Sequence, residues 1–171
     1  MEQATFVQHD GRPAVRFRRT FGHPVERVWA AITETEDLRH WFPSSVRMEQ
    51  VVGGRIEFTD DPNIPAATSG TVLAFDPPRR LAYTWETDEL IFELAPTDAG
   101  CVLTFVHVLG AENAAARTAA GWQVCLAELD KHVDGEPAEG PHSSSALPWQ
   151  PVYDAYVAAG MPSGAPIPSA G

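Results

Sequence analysis

Between Pro24 and Pro43 the chain reads PVERVWAAITETEDLRHWFP, a short amphipathic helix that runs straight into an aromatic pair. Val25, Val28, Trp29 and Ile32 fall at i, i+3, i+4 and i+7, the stripe of one helix face. Pro24 suits a first helical turn, where its missing N–H costs nothing, and Glu26 lies near the positive end of the dipole. Trp41 and Phe42 then fall in a second short turn closed by Pro43. A helix this short cannot bury two large rings beyond its end. The rest of the chain must supply a large, curved surface to receive them.

The flanking segments read as that surface. Ala14–Phe21 alternates apolar and basic residues, as a half-buried strand does. After the aromatic turn come strand-like runs separated by turn chemistry. Val46–Val52 and Arg55–Thr59 flank Gly53-Gly54, and 60–65 (DDPNIP) is a loop. Gly70–Phe75 and Arg80–Trp85 flank Asp76-Pro77-Pro78, while Glu89–Ala95 and Cys101–Leu109 flank 96–100 (PTDAG). One leading strand and about six more form an antiparallel meander. Then the period changes. Asn113–Val133 carries helix formers and places Trp122, Cys125, Leu126, Leu129 and Val133 on one stripe. Asn113 is the expected N-cap, and Gly135 and Pro137 stop the helix. At about 1.5 Å per residue it spans on the order of 30 Å, enough to cross a sheet. Gly121 inside it costs up to ~1 kcal/mol relative to Ala. Close approach to the sheet, or to a bound molecule, is the expected reason.

Composition narrows the function classes. With 171 residues, 44% of them hydrophobic, one domain with its own core is expected. The net charge of −11 argues against nucleic acid and against an anionic membrane surface, both of which select clustered Lys and Arg. No apolar run approaches the ~20 residues of a spanning helix, and MEQATFVQHDGR has no signal-peptide core, so a cytoplasmic protein is expected. Cys101 and Cys125 read as buried free thiols, and the six histidines show no ligand spacing, so neither metal nor cofactor is expected. The domain is placed at 1–135, a flexible linker at 136–148, an accessory helix at 149–159 and a disordered tail at 160–171. Trp149, Val152, Tyr153, Tyr156 and Val157 make the accessory helix's stripe.

An antiparallel sheet covered on one face by one long helix is an α+β architecture, and a cavity remains wherever side chains fail to fill the space between them. Parity assigns Leu81, Tyr83 and Trp85 to one face, as it does Leu90, Phe92 and Leu94, and Leu103, Phe105, His107 and Leu109. Such a concave face is aromatic with a few polar tips, as small-molecule pockets are. The ordered series VERVWAAITETEDLRHWF, VVGGRIEF, GTVLAFDPPRRLAYTW, FELAPTDAGCVLTFVHV and GWQVCLAELDKHV resembles the SRPBCC (START-like) superfamily. Within it the chain is most similar to homologues of the activator of heat-shock-protein ATPase, over about residues 14 to 134. The resemblance implies a helix-grip fold of about seven strands around a long C-terminal helix, with a hydrophobic tunnel between. Known members include lipid and hormone binders, polyketide cyclases and co-chaperones, so the fold alone does not select a function.

The residues expected at the ligand are Trp41, Phe42, Leu73, Tyr83, Trp85, Phe92, Phe105, His107, Trp122 and Leu126. His107 reads either as a ligand-orienting group or general base, or as a core histidine with both ring nitrogens satisfied. Trp41 and Phe42 read as a gate or as the closure of one end of the core. Trp85 and Trp122 can sandwich a planar ligand or simply pack helix on sheet. No residue is assigned as catalytic: Glu34, Glu36 and Asp37 lack paired-carboxylate geometry, and Gly53-Gly54 is no phosphate loop. A binding protein for a small apolar or aromatic molecule is the leading expectation. A cyclase- or dehydratase-type enzyme using His107 or Tyr83 is the second. A co-chaperone-like module for a heat-shock ATPase is the third. The last helix is expected over the tunnel mouth or against a second copy in a homodimer.

Overall fold

The computed structural model describes residues 2–167. Eight strands form one antiparallel sheet in the order β1-β2-β8-β7-β6-β5-β4-β3. They are β1 (Thr5–His9), β2 (Arg12–Phe21), β3 (Ser45–Met48), β4 (Arg55–Thr59), β5 (Thr68–Asp76), β6 (Arg80–Trp85), β7 (Asp88–Thr97) and β8 (Gly100–Val108). Helices α1 (Val25–Thr33) and α2 (Thr35–Leu38) link β2 to β3, and α3 (Ala115–Val133) grips the concave face. α4 (Trp149–Ala158) packs on α3. The helix-grip expectation holds, with one strand more than the sequence reading counted. The added strand is β1, which precedes the leading strand of the sequence reading. Asp10 and Gly11 both adopt positive φ and close a two-residue hairpin that pairs His9 with Arg12. An Asp-Gly pair between strands is a strong hairpin signal, but Thr5–His9 has only Phe6 and Val7 as apolar residues, side by side, without the alternation of a half-buried strand.

Parity works where the ladders are regular. Leu81 and Tyr83, Leu90, Phe92 and Leu94, and Leu103, Phe105 and Leu109 all enter the main core with Val15, Phe17 and Phe21 of β2. The alternate residues Ala14, Ala82, Ile91 and Val108 form a second, small cluster on the outer face. Parity fails at Leu73. The β5–β6 register shifts between Val72 and Ala74, so Val72 turns inward opposite Tyr83 while Leu73 stands 45% exposed. An extra residue in one strand flips the face of its neighbours, and Leu73 therefore leaves the expected ligand set. The run Val46–Val52 also ends earlier than expected, since β3 stops at Met48 and Val51 and Val52 lie exposed in a loop. At the start of α3, Asn113 sits within a 3-10 turn (Glu112–Ala114), and Ala114 occupies the capping position.

The chain after residue 135 does not trail. Residues 136–148 hold no helix or strand, but they are pinned at two points. The Glu128 carboxylate, wholly buried on α3, accepts from Lys131 Nζ at 2.7 Å and from the Gly140 N–H at 3.3 Å. The His40 Nδ1 lies 3.0 Å from the Ala138 carbonyl. Tyr156 anchors α4: its buried hydroxyl accepts from the Ala4 N–H at 2.8 Å and donates to Gln123. Burial pushes that hydroxyl's pKa up, partly offset by the Ala4 N–H and Arg19. Residues 160–167, expected to be disordered, run along the first turn of α3. The Ala116 N–H donates to the Pro162 carbonyl at 2.9 Å and the Ala165 N–H to the Asn113 carbonyl at 3.2 Å. The first N–H groups of a helix lack intrahelical acceptors, and this segment supplies one. Residues 168–171 of the expected tail lie outside the described residues.

Candidate functional site

The α1–α2 unit drives Trp41 and Phe42 between sheet and helix. Trp41 is fully buried, and its indole N–H donates to the Ala31 carbonyl at 2.8 Å. Around the pair the rings close up. Phe92 stacks on Phe105 at 4.5 Å, Phe42 meets Trp122 edge-on at 5.3 Å, and Tyr83 lies 6.0 Å from Phe92. Trp41, Phe42, Tyr83, Phe92, Phe105 and Leu126 are all buried and line no opening. The expected tunnel is thus filled over most of its length by the protein's own rings. Volume decides this: the aromatic pair from the short helices enters as a plug. Burial also pushes the Tyr83 hydroxyl's pKa far up, which leaves it a neutral phenol.

The hollow survives at one end. A cleft of about 380 Å³ opens there, walled by Trp85, Trp122 and Trp149. Gly121 of α3 contributes bare backbone to it. A Cβ at this position would meet nothing within 4 Å, which corrects the expectation of close helix–sheet approach and leaves open space as the reason for the glycine. Pro43, Pro141 and Ile167 complete the apolar rim, while Asn63, Arg117, Thr118 and His142 supply polar groups. A drug-sized pocket is typically 300–1,000 Å³, apolar, with few polar groups, and this cleft fits that description. A larger hollow of about 1090 Å³ lies on the outer face of the sheet, lined by charged side chains such as Arg16, Arg18, Arg79 and Glu93. It is broad and bordered by charged groups, with no aromatic wall.

His107 sits in the cleft's inner wall as the middle of a relay. An indole nitrogen can only donate, so the 2.8 Å contact from Trp122 Nε1 makes His107 Nδ1 an acceptor. The proton of the neutral ring therefore lies on Nε2, which donates to Asp88 Oδ2 at 2.7 Å. Asp88 also accepts from the Gly110 N–H at 2.8 Å and the Thr87 hydroxyl. Burial pushes the Asp88 carboxyl up, but its hydrogen bonds from His107, Gly110 and Thr87 outweigh it and hold it below the ordinary value. Of the two readings of His107, the geometry selects the satisfied one: both nitrogens are engaged and the ring fixes Trp122. Cys125 also borders the cleft, and burial, with Asp61 and Glu128 nearby, pushes its thiol up and away from the reactive thiolate. Among the described residues no group of His, Cys, Asp and Glu is arranged to hold a metal ion. No described helix is long and apolar enough to cross a membrane.

Of the ten expected ligand residues, Trp85, His107 and Trp122 border the cleft. The expected ligand set left out Arg117, Asn63, Pro141, His142 and Ile167; it also left out Trp149, although its helix was expected over the tunnel mouth. The apolar stripe opened by Trp149 was the available signal, since a lone amphipathic helix must find a face to cover.

Comparison with known proteins fits this geometry. A family model described as Activator of Hsp90 ATPase homolog 1-like protein matches residues 22–134. No curated protein sequence matches the chain. Among solved structures, CalU16 from Micromonospora echinospora superposes with a TM-score of 0.68 at 21% identity, covering 91% of this chain and 94% of its own. EF2215 from Enterococcus faecalis, described as a conserved protein of unknown function, gives 0.72 at 20% identity, covering 91% and 89%. The AHSA1-like protein from Aeromonas hydrophila gives 0.62 at 20% identity and covers 71% of this chain and 92% of its own. The first two leave less than a tenth of the chain unmatched, so their overlap extends past residue 135 into the segment that rims the cleft.

Proposed function

The chain belongs to the family of Activator of Hsp90 ATPase homolog 1-like proteins, and from that premise we propose that it binds a small apolar or aromatic molecule in the cleft at the open end of the sheet–helix interface. One observation carries the reading. Three of the chain's five tryptophans converge on a hollow whose helix side includes a glycine with open space where a side chain would be. A glycine inside a helix costs stability, and a ligand-sized space beside it is a reason to keep it. An enzymatic role through His107 has less support, because the ring would have to surrender its bond from Trp122 before accepting a proton at Nδ1. A partnership with a heat-shock ATPase is what the family name suggests, and no feature of the cleft serves it.

The test uses N-phenyl-1-naphthylamine, a neutral two-ring dye whose emission rises in apolar surroundings. Wild-type protein is expected to bind it saturably. At about 100 times Kd, binding adds about 2.7 kcal/mol to stability, which raises Tm by roughly 5–10 °C for a chain this long. Gly121→Leu, which fills the hollow from the helix side, is expected to abolish the emission change while the protein stays folded. Dye binding that ignores Gly121→Leu, or no binding at all, would refute the cleft as the site.

A further inference from the structure

We infer that the ligand of this cleft carries an acid group, and that its anionic oxygens dock on the Arg117 guanidinium in place of the Pro166 main-chain carbonyl. The inference rests on the ligand-binding reading above and adds the chemical class. It begins from a charge imbalance. The chain carries 23 Asp and Glu against 12 Lys and Arg, yet no Asp or Glu lines the cleft and one arginine does. On so acidic a chain, a cleft border free of carboxylates beside a cation is a local reversal of sign. Two acids stand just behind the lining: Asp88, held on the far side of the His107 ring at 2.7 Å, and Asp61, whose Oδ1 lies 4.0 Å from His142 Nε2; neither lines the cleft.

Arg117 stands in the first turn of α3 at the mouth of the cleft. Its Nη1 donates to the Pro166 carbonyl at 2.6 Å, and among the described residues no carboxylate comes within ion-pair distance of it. A guanidinium presents a planar fork that matches two oxygens of an anion, and the single neutral carbonyl uses only part of it. The carbonyl belongs to the segment 160–167, whose other described main-chain hydrogen bonds to the start of α3 run through Pro162 and Ala165. Exchanging Pro166 for a ligand carboxylate or sulfonate therefore leaves those two bonds in place. His142 Nε2, at the same rim, sits 2.9 Å from the Pro43 carbonyl and donates there, so its N–H is not available to the ligand. The tryptophans would hold the ring system while Arg117 holds the acid group at the rim.

Two dyes with the same ring scaffold separate this inference from the reading beneath it. N-phenyl-1-naphthylamine is neutral, and 8-anilinonaphthalene-1-sulfonate carries the same rings with an acid group. Both are titrated against wild type, Arg117→Met, Arg117→Lys and Gly121→Leu, each checked for a cooperative unfolding transition. Arg117→Met is expected to weaken the sulfonate dye about tenfold and leave the neutral dye within about twofold, because only the charged ligand loses a charge-assisted hydrogen bond. Arg117→Lys is expected to fall between, keeping the charge but not the fork. Added salt is expected to weaken the sulfonate dye alone. If both dyes bind wild type and Arg117→Met leaves both affinities unchanged, the acid-group inference fails while the cleft stands. Sulfonate binding that persists in Gly121→Leu would place that dye elsewhere and overturn the inference too. Failure of the neutral dye would instead remove the reading on which both rest.

Discussion

The two ends of the interface between sheet and α3 are built from the same materials and do opposite things. At the deep end Trp41, Phe92 and Phe105 interlock with Phe42 and Trp122, and every one of these rings is buried. At the open end Trp85, Trp122 and Trp149 stand around an empty volume. Hydrophobicity does not distinguish them. What differs is the supply of volume from a third layer. The α1–α2 unit inserts two rings at the deep end, whereas at the open end α3 offers Gly121 and the rim is made of loops with Trp149 of α4 and Arg117 of α3. Trp122 belongs to both, with one face toward Phe105 and its indole N–H held by His107. Aromatic content along a concave sheet therefore predicts a core or a pocket only once the inserting elements are counted.

Substitution at the deep end breaks the comparison most sharply. Phe105→Ala removes a ring stacked at 4.5 Å on Phe92 and should cost about 3–5 kcal/mol in urea-induced unfolding. Trp149→Ala, at the partly exposed rim, should cost well under half of that while weakening the naphthylamine dye more than Phe105→Ala does. Equal stability losses at the two positions would mean that the open end is core after all.

Glu128 tests how far the rim depends on its anchor. Replacing it by Ala leaves the Gly140 N–H without its acceptor and frees Lys131, whose ammonium can turn to water. The expected loss is about 1–3 kcal/mol, accompanied by faster proteolytic cleavage within residues 136–148 and weaker dye binding. A loss of stability with cleavage and dye affinity unchanged would show that the loop holds its place without this carboxylate.

The relay gives a smaller effect with a pH signature. Because the folded Asp88 carboxyl lies below its ordinary value, its contribution is present in full above the unfolded carboxylate pKa near 3.9 and is lost as pH falls through the folded one. Asp88→Asn is therefore expected to lower stability by about 1 kcal/mol at pH 7, and the gap to wild type should close as the pH drops toward 3. A gap that stays constant with pH would mean that the carboxylate's charge plays no part.

Much of this architecture was legible in the sequence, for identifiable reasons. The large rings of β6 to β8 fall two residues apart, which places Tyr83, Phe92, Phe105 and His107 on one face, although Val102, Val106 and Val108 make the opposite face of β8 apolar as well. The stripe from Trp122 to Val133 did the same for α3. Leu73 was misplaced because a bulge leaves no mark in hydropathy, and β1 was lost because its turn signal was stronger than its strand signal. The site was harder. Its parts come from loops, two strands and two helices, and His107 lies 19 residues from Asp88 and 15 from Trp122 along the chain yet within 3 Å of a polar atom of each. No periodicity encodes such a contact. Nor could volume be read: the sequence shows which rings face inward, but only packing decides whether they leave a hollow.

Gly121→Ala should have the smallest effect and the most informative sign. Inside a helix the added methyl group lowers the conformational cost, and here it meets no atom within 4 Å, so the free protein should gain up to about 1 kcal/mol. The same methyl group projects into the space that a ligand would use. Dye affinity should therefore fall as stability rises, two effects of opposite direction from one carbon atom. At the deep end no substitution can do this, since any change there alters packing and stability together. If Gly121→Ala raised Tm and left the dye's affinity untouched, the volume beside the helix would be ordinary solvent space, and the distinction between the two ends would lose its functional meaning.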